Sequence, residues 1–178
     1  MQSPSLYIDP HLLPFPEQLH AWLRKEVQWD ERMKARKTAS FGVAYNYSQI
    51  AYQATPMPAA LDAICAMIEQ AIGFRPNNCL INYYADGAAS MGFHSDETAF
   101  LMPGTGVAIM SLGSERSIVF RNKLDRTLDI AYMLQSGSLL YMPQQVQHDW
   151  LHAIPKAVGV GERISLTFRA MQDGLEVG

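Results

Sequence analysis

The chain has 178 residues, of which 48% are hydrophobic, 17% charged and 10% aromatic, with a net charge of −3. A length and apolar content of this kind suit one globular domain and exclude a disordered or repeat protein. No stretch has the ~18 consecutive apolar residues needed to cross a bilayer, and the net charge gives no overall footprint for nucleic acid.

In chain order, residues 1–16 hold Pro4, Pro10, Pro14 and Pro16 and read as an extended arm without a basic leader. A helix is expected from Glu17 to about Trp29, with Leu19, Trp22, Leu23 and Val27 on one face. Residues 24–37 carry six basic and three acidic side chains, a local +3 that leaves −6 for the rest. The run FGVAYNYSQIAY, 41–52, places Tyr45 and Tyr47 on one face of any strand it forms. Pro56 and Pro58 open a second amphipathic helix through Leu61, Ile64, Ile68 and Ile72, stopped by Gly73.

From Asn78 the pattern changes to short β-rich runs: 79–84, 107–112, 117–121, 128–133, 138–142, 150–154 and 163–170. Turn residues separate them, among them Asp86-Gly87, Ser136-Gly137 and Gly159 to Gly161. Short strands at even spacing indicate an antiparallel sandwich or barrel with the helices outside. Cys65 and Cys79 are too few for a disulfide framework and lack metal-ligand spacing, so a reduced, cytoplasmic protein is expected.

Three segments could carry chemistry. In extended backbone His94 and Asp96 point the same way, and His152 can join them from a distant strand. Two imidazoles and one carboxylate on one face leave coordination positions open, as in non-haem Fe(II) oxygenases; zinc tolerates the same set, and a chance His-x-Asp is the bland account. In RISLTFR, Arg163, Ser165, Thr167 and Arg169 share a face opposite Ile164, Leu166 and Phe168. That face either meets water or holds a dicarboxylate through paired guanidiniums. Asn82 and Tyr84 share a face just before the Asp86-Gly87 turn, where they bind the same anion or tie down the turn.

Taken in order, RKTASFGVAYNYS (36–48), LINYYADGAASMGFHSDE (80–97), MSLGSERSIVFR (110–121), GSLLYMPQQVQHDWLHAIPK (137–156) and GERISLTFR (161–169) resemble the AlkB-type Fe(II)/2-oxoglutarate dioxygenases. The resemblance implies a mainly β fold of α+β class, a double-stranded β-helix (jelly-roll) core with N-terminal helices packed outside. It implies an N-terminal arm and helix over 1–35, a nucleotide-recognition segment and helix over 36–77, and a catalytic core over 78–178, all in one structural domain. His94, Asp96 and His152 would hold Fe(II). Asn82, Tyr84, Arg163 and Arg169 would hold 2-oxoglutarate, with Arg163 and Tyr84 at its distal carboxylate. With O2, the reaction would oxidise an N-methyl group and yield succinate, CO2, formaldehyde and the repaired base.

A flipped base would sit between His94 and an aromatic ring, for which Tyr47 is the candidate, with Tyr45 and Ser48 at the base edge or backbone, unless the two tyrosines only pack their strand. Arg32, Lys34, Arg36, Lys37, Arg116, Arg121 and Lys123 would meet phosphates, unless they only form a solvated face. Two departures bear on base preference: His94-Ser95-Asp96-Glu97-Thr98 where relatives read His-x-Asp-Asp-Glu, leaving either Glu97 or no residue as the acidic selector, and Met57 where Trp is common. His148 is expected outside the metal set, either behind the ligands or facing solvent. The expected activity is demethylation of 1-methyladenine and 3-methylcytosine in DNA, RNA or both, by a monomer with no membrane association. An oxygenase of proteins or small molecules, and a non-enzymatic nucleic-acid-binding module, are the alternatives.

Overall fold

The computed structural model describes residues 2–47 and 49–172. Among these described residues, twelve strands and three helices follow one another as β1 (Tyr7–Asp9), α1 (Pro16–Glu26), β2 (Lys37–Gly42), β3 (Tyr45–Tyr47), β4 (Ile50–Tyr52), α2 (Ala59–Ile72), β5 (Asn78–Tyr84) and β6 (Met91–His94). They continue through β7 (Gly106–Gly113), β8 (Arg116–Asn122), β9 (Asp129–Leu134), β10 (Leu139–Pro143), α3 (Gln144–Asp149), β11 (Trp150–Ile154) and β12 (Arg163–Arg169). The major sheet runs β1-β10-β7-β12-β5-β2 and the minor sheet β6-β11-β8-β9, while β3 and β4 form a separate hairpin. All pairings are antiparallel, which is the expected jelly roll.

Side-chain alternation sorts the strands of the major sheet into two layers. Ile164, Leu166 and Phe168 of β12, Cys79 and Ile81 of β5, and Ala108, Met110 and Leu112 of β7 pack with α1 and α2. Their neighbours on the other face point between the sheets, where Tyr84, Val107, Ile109, Ile118 and Phe120 form a second cluster. β12 is therefore buried on both faces, and its polar row meets an internal cavity rather than water.

α2 matches its expected span. Gly73 ends it at φ 86, and the Gly73 N–H donates to Glu69 O at 2.9 Å. α1 stops at Glu26, three residues short of expectation, because Val27 turns extended at ψ 131 and Asp30 then bridges to Thr38 on β2. Val27 still packs in the core, so its spacing recorded burial without helix. The arm contributes β1 at the edge of the major sheet. Glu162, just before β12, pins α1 by pairing with Arg24 at 3.1 Å and His20 at 3.5 Å and accepting the Tyr83 hydroxyl hydrogen.

Candidate functional site

β6 and β11 are antiparallel neighbours with His94 directly opposite His152. Directly opposed residues project from the same face, so both rings enter the space between the sheets, with centroids 4.3 Å apart. Asp96 follows β6 by two residues, and its carboxylate lies 3.8 Å from His94 Nε2 and 3.6 Å from His152 Nε2. One ligand atom from each of the three lies within 4.8 Å of the others, a set that can hold a metal ion.

The protonation states suit that role. His94 Nδ1–H donates to Gly92 O at 2.9 Å, which leaves Nε2 facing Asp96. Burial pushes the His152 imidazole down to about 4, further than the Asp96 carboxylate lifts it, so the ring is neutral near pH 7. Burial pushes the Asp96 carboxyl up, but Arg169, His152 and His94 together outweigh it and hold the group below the ordinary carboxylate range. Arg169 Nη2 donates to Asp96 Oδ1 at 3.3 Å, and Gln147 Oε1 accepts the Asp96 N–H at 2.8 Å.

These groups close one end of a cavity between the sheets. Arg163, Ser165, Thr167 and Arg169 line it from β12, and Leu80, Asn82 and Tyr84 from β5. Arg163 is 1% exposed. Its Nη2 donates to Ser111 Oγ at 2.9 Å, its Cζ lies 5.1 Å from the Tyr84 ring centroid, and Nε and Nη1 have no partner among the described residues. A buried cation with two idle donors is costly unless an anion reaches it. The donor set therefore fits a bound carboxylate at that end and a metal ion at the other.

The expected substrate residues divide. Tyr45 opens the hairpin with its ring 4.8 Å from Arg169 Cζ, next to the donor cluster. The Tyr47 side chain and Ser48 lie outside what the structure describes. Glu97 is exposed, and its Oε1 accepts the N–H groups of Thr98 and Ala99 at 3.0 Å each. Met57 packs on the helix-side core. His148 is exposed on α3, as expected.

The basic residues need correction. Arg116 is 1% exposed and donates to the carbonyls of Asp86, Ala89 and Pro155, so it is an internal strut and not a phosphate contact. Arg36 is likewise buried and donates to Asn82 Oδ1 and Ser90 O. Sequence reasoning also missed Gln147, Ser111 and the strand β6 itself. Only a four-residue run, MGFH, carries β6, and half its side chains are exposed, so no periodic signal marks it.

The profile of the 2OG-Fe(II) oxygenase superfamily matches residues 14–169. The chain is 32% identical over 145 residues to the mouse DNA oxidative demethylase ALKBH2, covering 75% of this chain and 61% of that protein. It is 31% identical over 170 residues to the rat alpha-ketoglutarate-dependent dioxygenase alkB homolog 3, covering 84% and 57%. It is also 30% identical over 147 residues to the uncharacterized protein R406 of Acanthamoeba polyphaga mimivirus, covering 82% and 76%. The chain thus spans about three-fifths of the length of the first two. In three dimensions it superposes on the solved structure of OsALKBH1 with a TM-score of 0.72 at 16% identity, covering 95% of this chain and 99% of that one, a likeness of fold.

Proposed function

The chain belongs to the 2OG-Fe(II) oxygenase superfamily, as an AlkB-type member, and from that membership we propose that it oxidatively demethylates alkylated bases of DNA or RNA, of the 1-methyladenine and 3-methylcytosine kind. One observation carries the reading: three metal-ligand donors and a buried, two-nitrogen-idle guanidinium occupy opposite ends of one cavity. In this assignment His94, Asp96 and His152 hold Fe(II), and Arg163 with Tyr84 receives the distal carboxylate of 2-oxoglutarate. Asn82 and Arg169 serve its other end, and Ser165 and Thr167 line the wall between.

Bound there, Fe(II) supplies the coupling of O2 reduction to oxidative decarboxylation of 2-oxoglutarate, giving succinate and CO2. The chain's part is positional. Arg169 holds the Asp96 carboxylate, Gly92 O fixes the His94 tautomer, and the two sheets exclude water from all but the mouth. Tyr45, Tyr47, Ser48 and Glu97 are the residues assigned to the base. Hydroxylation of the N-methyl group gives an N–CH2OH that releases formaldehyde and returns the proton to nitrogen. The division into an arm and helix (1–35), a recognition segment (36–77) and a catalytic core (78–178) follows the same assignment. So does a monomer in a reducing compartment, a reading supported by the two free, buried cysteines. Among the described residues no helix is long and apolar enough to cross a membrane.

The second reading, a 2-oxoglutarate oxygenase of proteins or small molecules, is favoured by the pairing of the surface cations. Arg32 pairs with Asp30, Lys37 with Glu31 at 2.8 Å and Arg121 with Asp129 at 2.7 Å. Incubation with Fe(II), 2-oxoglutarate and ascorbate separates the two. Formaldehyde that requires a methylated oligonucleotide supports demethylation; succinate formed equally without it supports the second reading. Nucleic acid bound without turnover would leave only a binding module.

A further inference from the structure

Asn82 is 2% exposed and lines the cavity. Its amide can face either way, and the two orientations offer opposite chemistry to a ligand: a carbonyl oxygen that accepts, or an NH2 that donates. The choice is made from outside the cavity. Arg36, immediately before β2, directs Nε–H at Asn82 Oδ1 across 3.2 Å, while its Nη1 donates to Ser90 O at 2.6 Å, one residue before β6 begins. A guanidinium only donates, so the reversed amide would set two donors against each other. Arg36 Cζ also lies 5.9 Å from the Tyr84 ring centroid, on the same stretch of β5.

We propose that Arg36 is a positioning residue for the co-substrate: it locks the Asn82 amide with Nδ2 toward the cavity, so that Asn82 donates to an acceptor oxygen of the 2-oxoacid. The placement requires the register of three elements. β2 pairs with β5 so that Thr38 faces Asn82, which brings the residue two before Thr38 alongside that amide. The Ser90 bond meanwhile fixes the guanidinium to the segment leading into His94. One side chain from the start of the 36–77 segment thus sets the hydrogen-bonding sign of a group at the co-substrate.

This rests on the dioxygenase reading above, and calorimetry of 2-oxoglutarate binding to the Mn(II)-loaded protein tests both separately. Failure of the wild-type protein to bind 2-oxoglutarate overturns the dioxygenase reading and this one with it. Given wild-type binding, Arg36→Met should raise Kd about tenfold, as expected for loss of one charge-assisted orienting bond. Asn82→Ala should do the same, and the double variant should be no weaker than the weaker single, because both remove one interaction. Arg36→Lys, which keeps the charge but lacks the Nε–H, should follow Arg36→Met and serves in its place if that variant does not fold. An unchanged Kd, or effects that multiply in the double variant, overturns the proposal. So does the phosphate-contact outcome, in which Arg36→Met spares 2-oxoglutarate but lowers the salt slope of oligonucleotide binding by about one.

Discussion

Arg163 and Tyr84 face each other across β12 and β5 in direct register, with the guanidinium carbon 5.1 Å from the ring centroid and both side chains 1% exposed. Arg116 and Arg36 lie near the same ring at 5.6 and 5.9 Å, so three buried cations share one phenol. The neighbouring positive charge and burial both lower the Arg163 pKa, burial most. Removing an idle buried cation should relieve strain on the ligand-free protein while destroying anion affinity. Arg163→Met is therefore expected to unfold at the same or higher temperature than the wild type. The stabilisation that 2-oxoglutarate gives the metal-loaded wild type should disappear in the variant. Thermal scans with and without ligand check both halves.

The donor cluster makes a sharper demand. His152→Ala and Asp96→Ala should each lower Mn(II) affinity by two orders of magnitude or more, since each leaves two donors of three. The sheets remain paired, so circular dichroism should be unchanged. Asp96→Asn is the informative variant: it keeps the shape but leaves the Arg169 guanidinium beside the site uncompensated, and should bind metal no better than Asp96→Ala. Mn(II) binding followed by electron paramagnetic resonance measures all three, and wild-type affinity in any of them would remove that residue from the metal set.

The two thiols give the pH dependence. Burial pushes Cys65 up to about 11 and Cys79 well above its ordinary value. An acid whose folded pKa is raised keeps its stabilising contribution below the unfolded value, about 8.5, and loses it as pH rises toward the folded value. The midpoint of urea unfolding should fall between about pH 8.5 and pH 11, and less so in Cys65→Ala. At pH 8 neither thiol should react with Ellman's reagent until the chain is unfolded.

Backbone packing limits the turn that ends β5. A Cβ on Gly87 would lie 1.8 Å from the Ala157 carbonyl oxygen, a fixed main-chain atom. Gly87→Ala must displace the turn that Arg116 also holds through Asp86 O and Ala89 O. A loss of about 2 kcal/mol or more in unfolding free energy is expected from such a clash, together with weaker 2-oxoglutarate binding because Tyr84 ends the strand. Equilibrium denaturation and ligand titration on the same variant would show both.

Spacing told which side chains of the candidate site travel together, because they sit on strands with a period of two, while their roles came only with the family resemblance. The odd-numbered polar row of β12 was visible in RISLTFR, but not whether it faced water, since burial of a strand's second face depends on how the other sheet packs over it. Arg36 and Arg116 failed for a related reason. A basic residue in a one-dimensional pattern reads as surface, and only backbone carbonyls gathered from Asp86, Ala89 and Pro155 identify Arg116 as a buried strut. α3 escaped because its six residues, QQVQHD, complete less than two turns, yet it supplies Gln147 to the Asp96 backbone.

The major sheet's alternation between a helix-packed layer and a cavity-lining layer gives neighbouring codons unlike fates. On β12 the even positions answer to the packing of α1 and α2, and the odd positions to whatever occupies the cavity. Drift in the even set is a matter of volume, and Ile, Leu, Val and Met can trade places there as the two helices shift. The odd set answers to charge and donor direction, so its history records changes of ligand. One strand thus carries two interleaved lineages, and a substitution spectrum taken across it separates selection for folding from selection for chemistry.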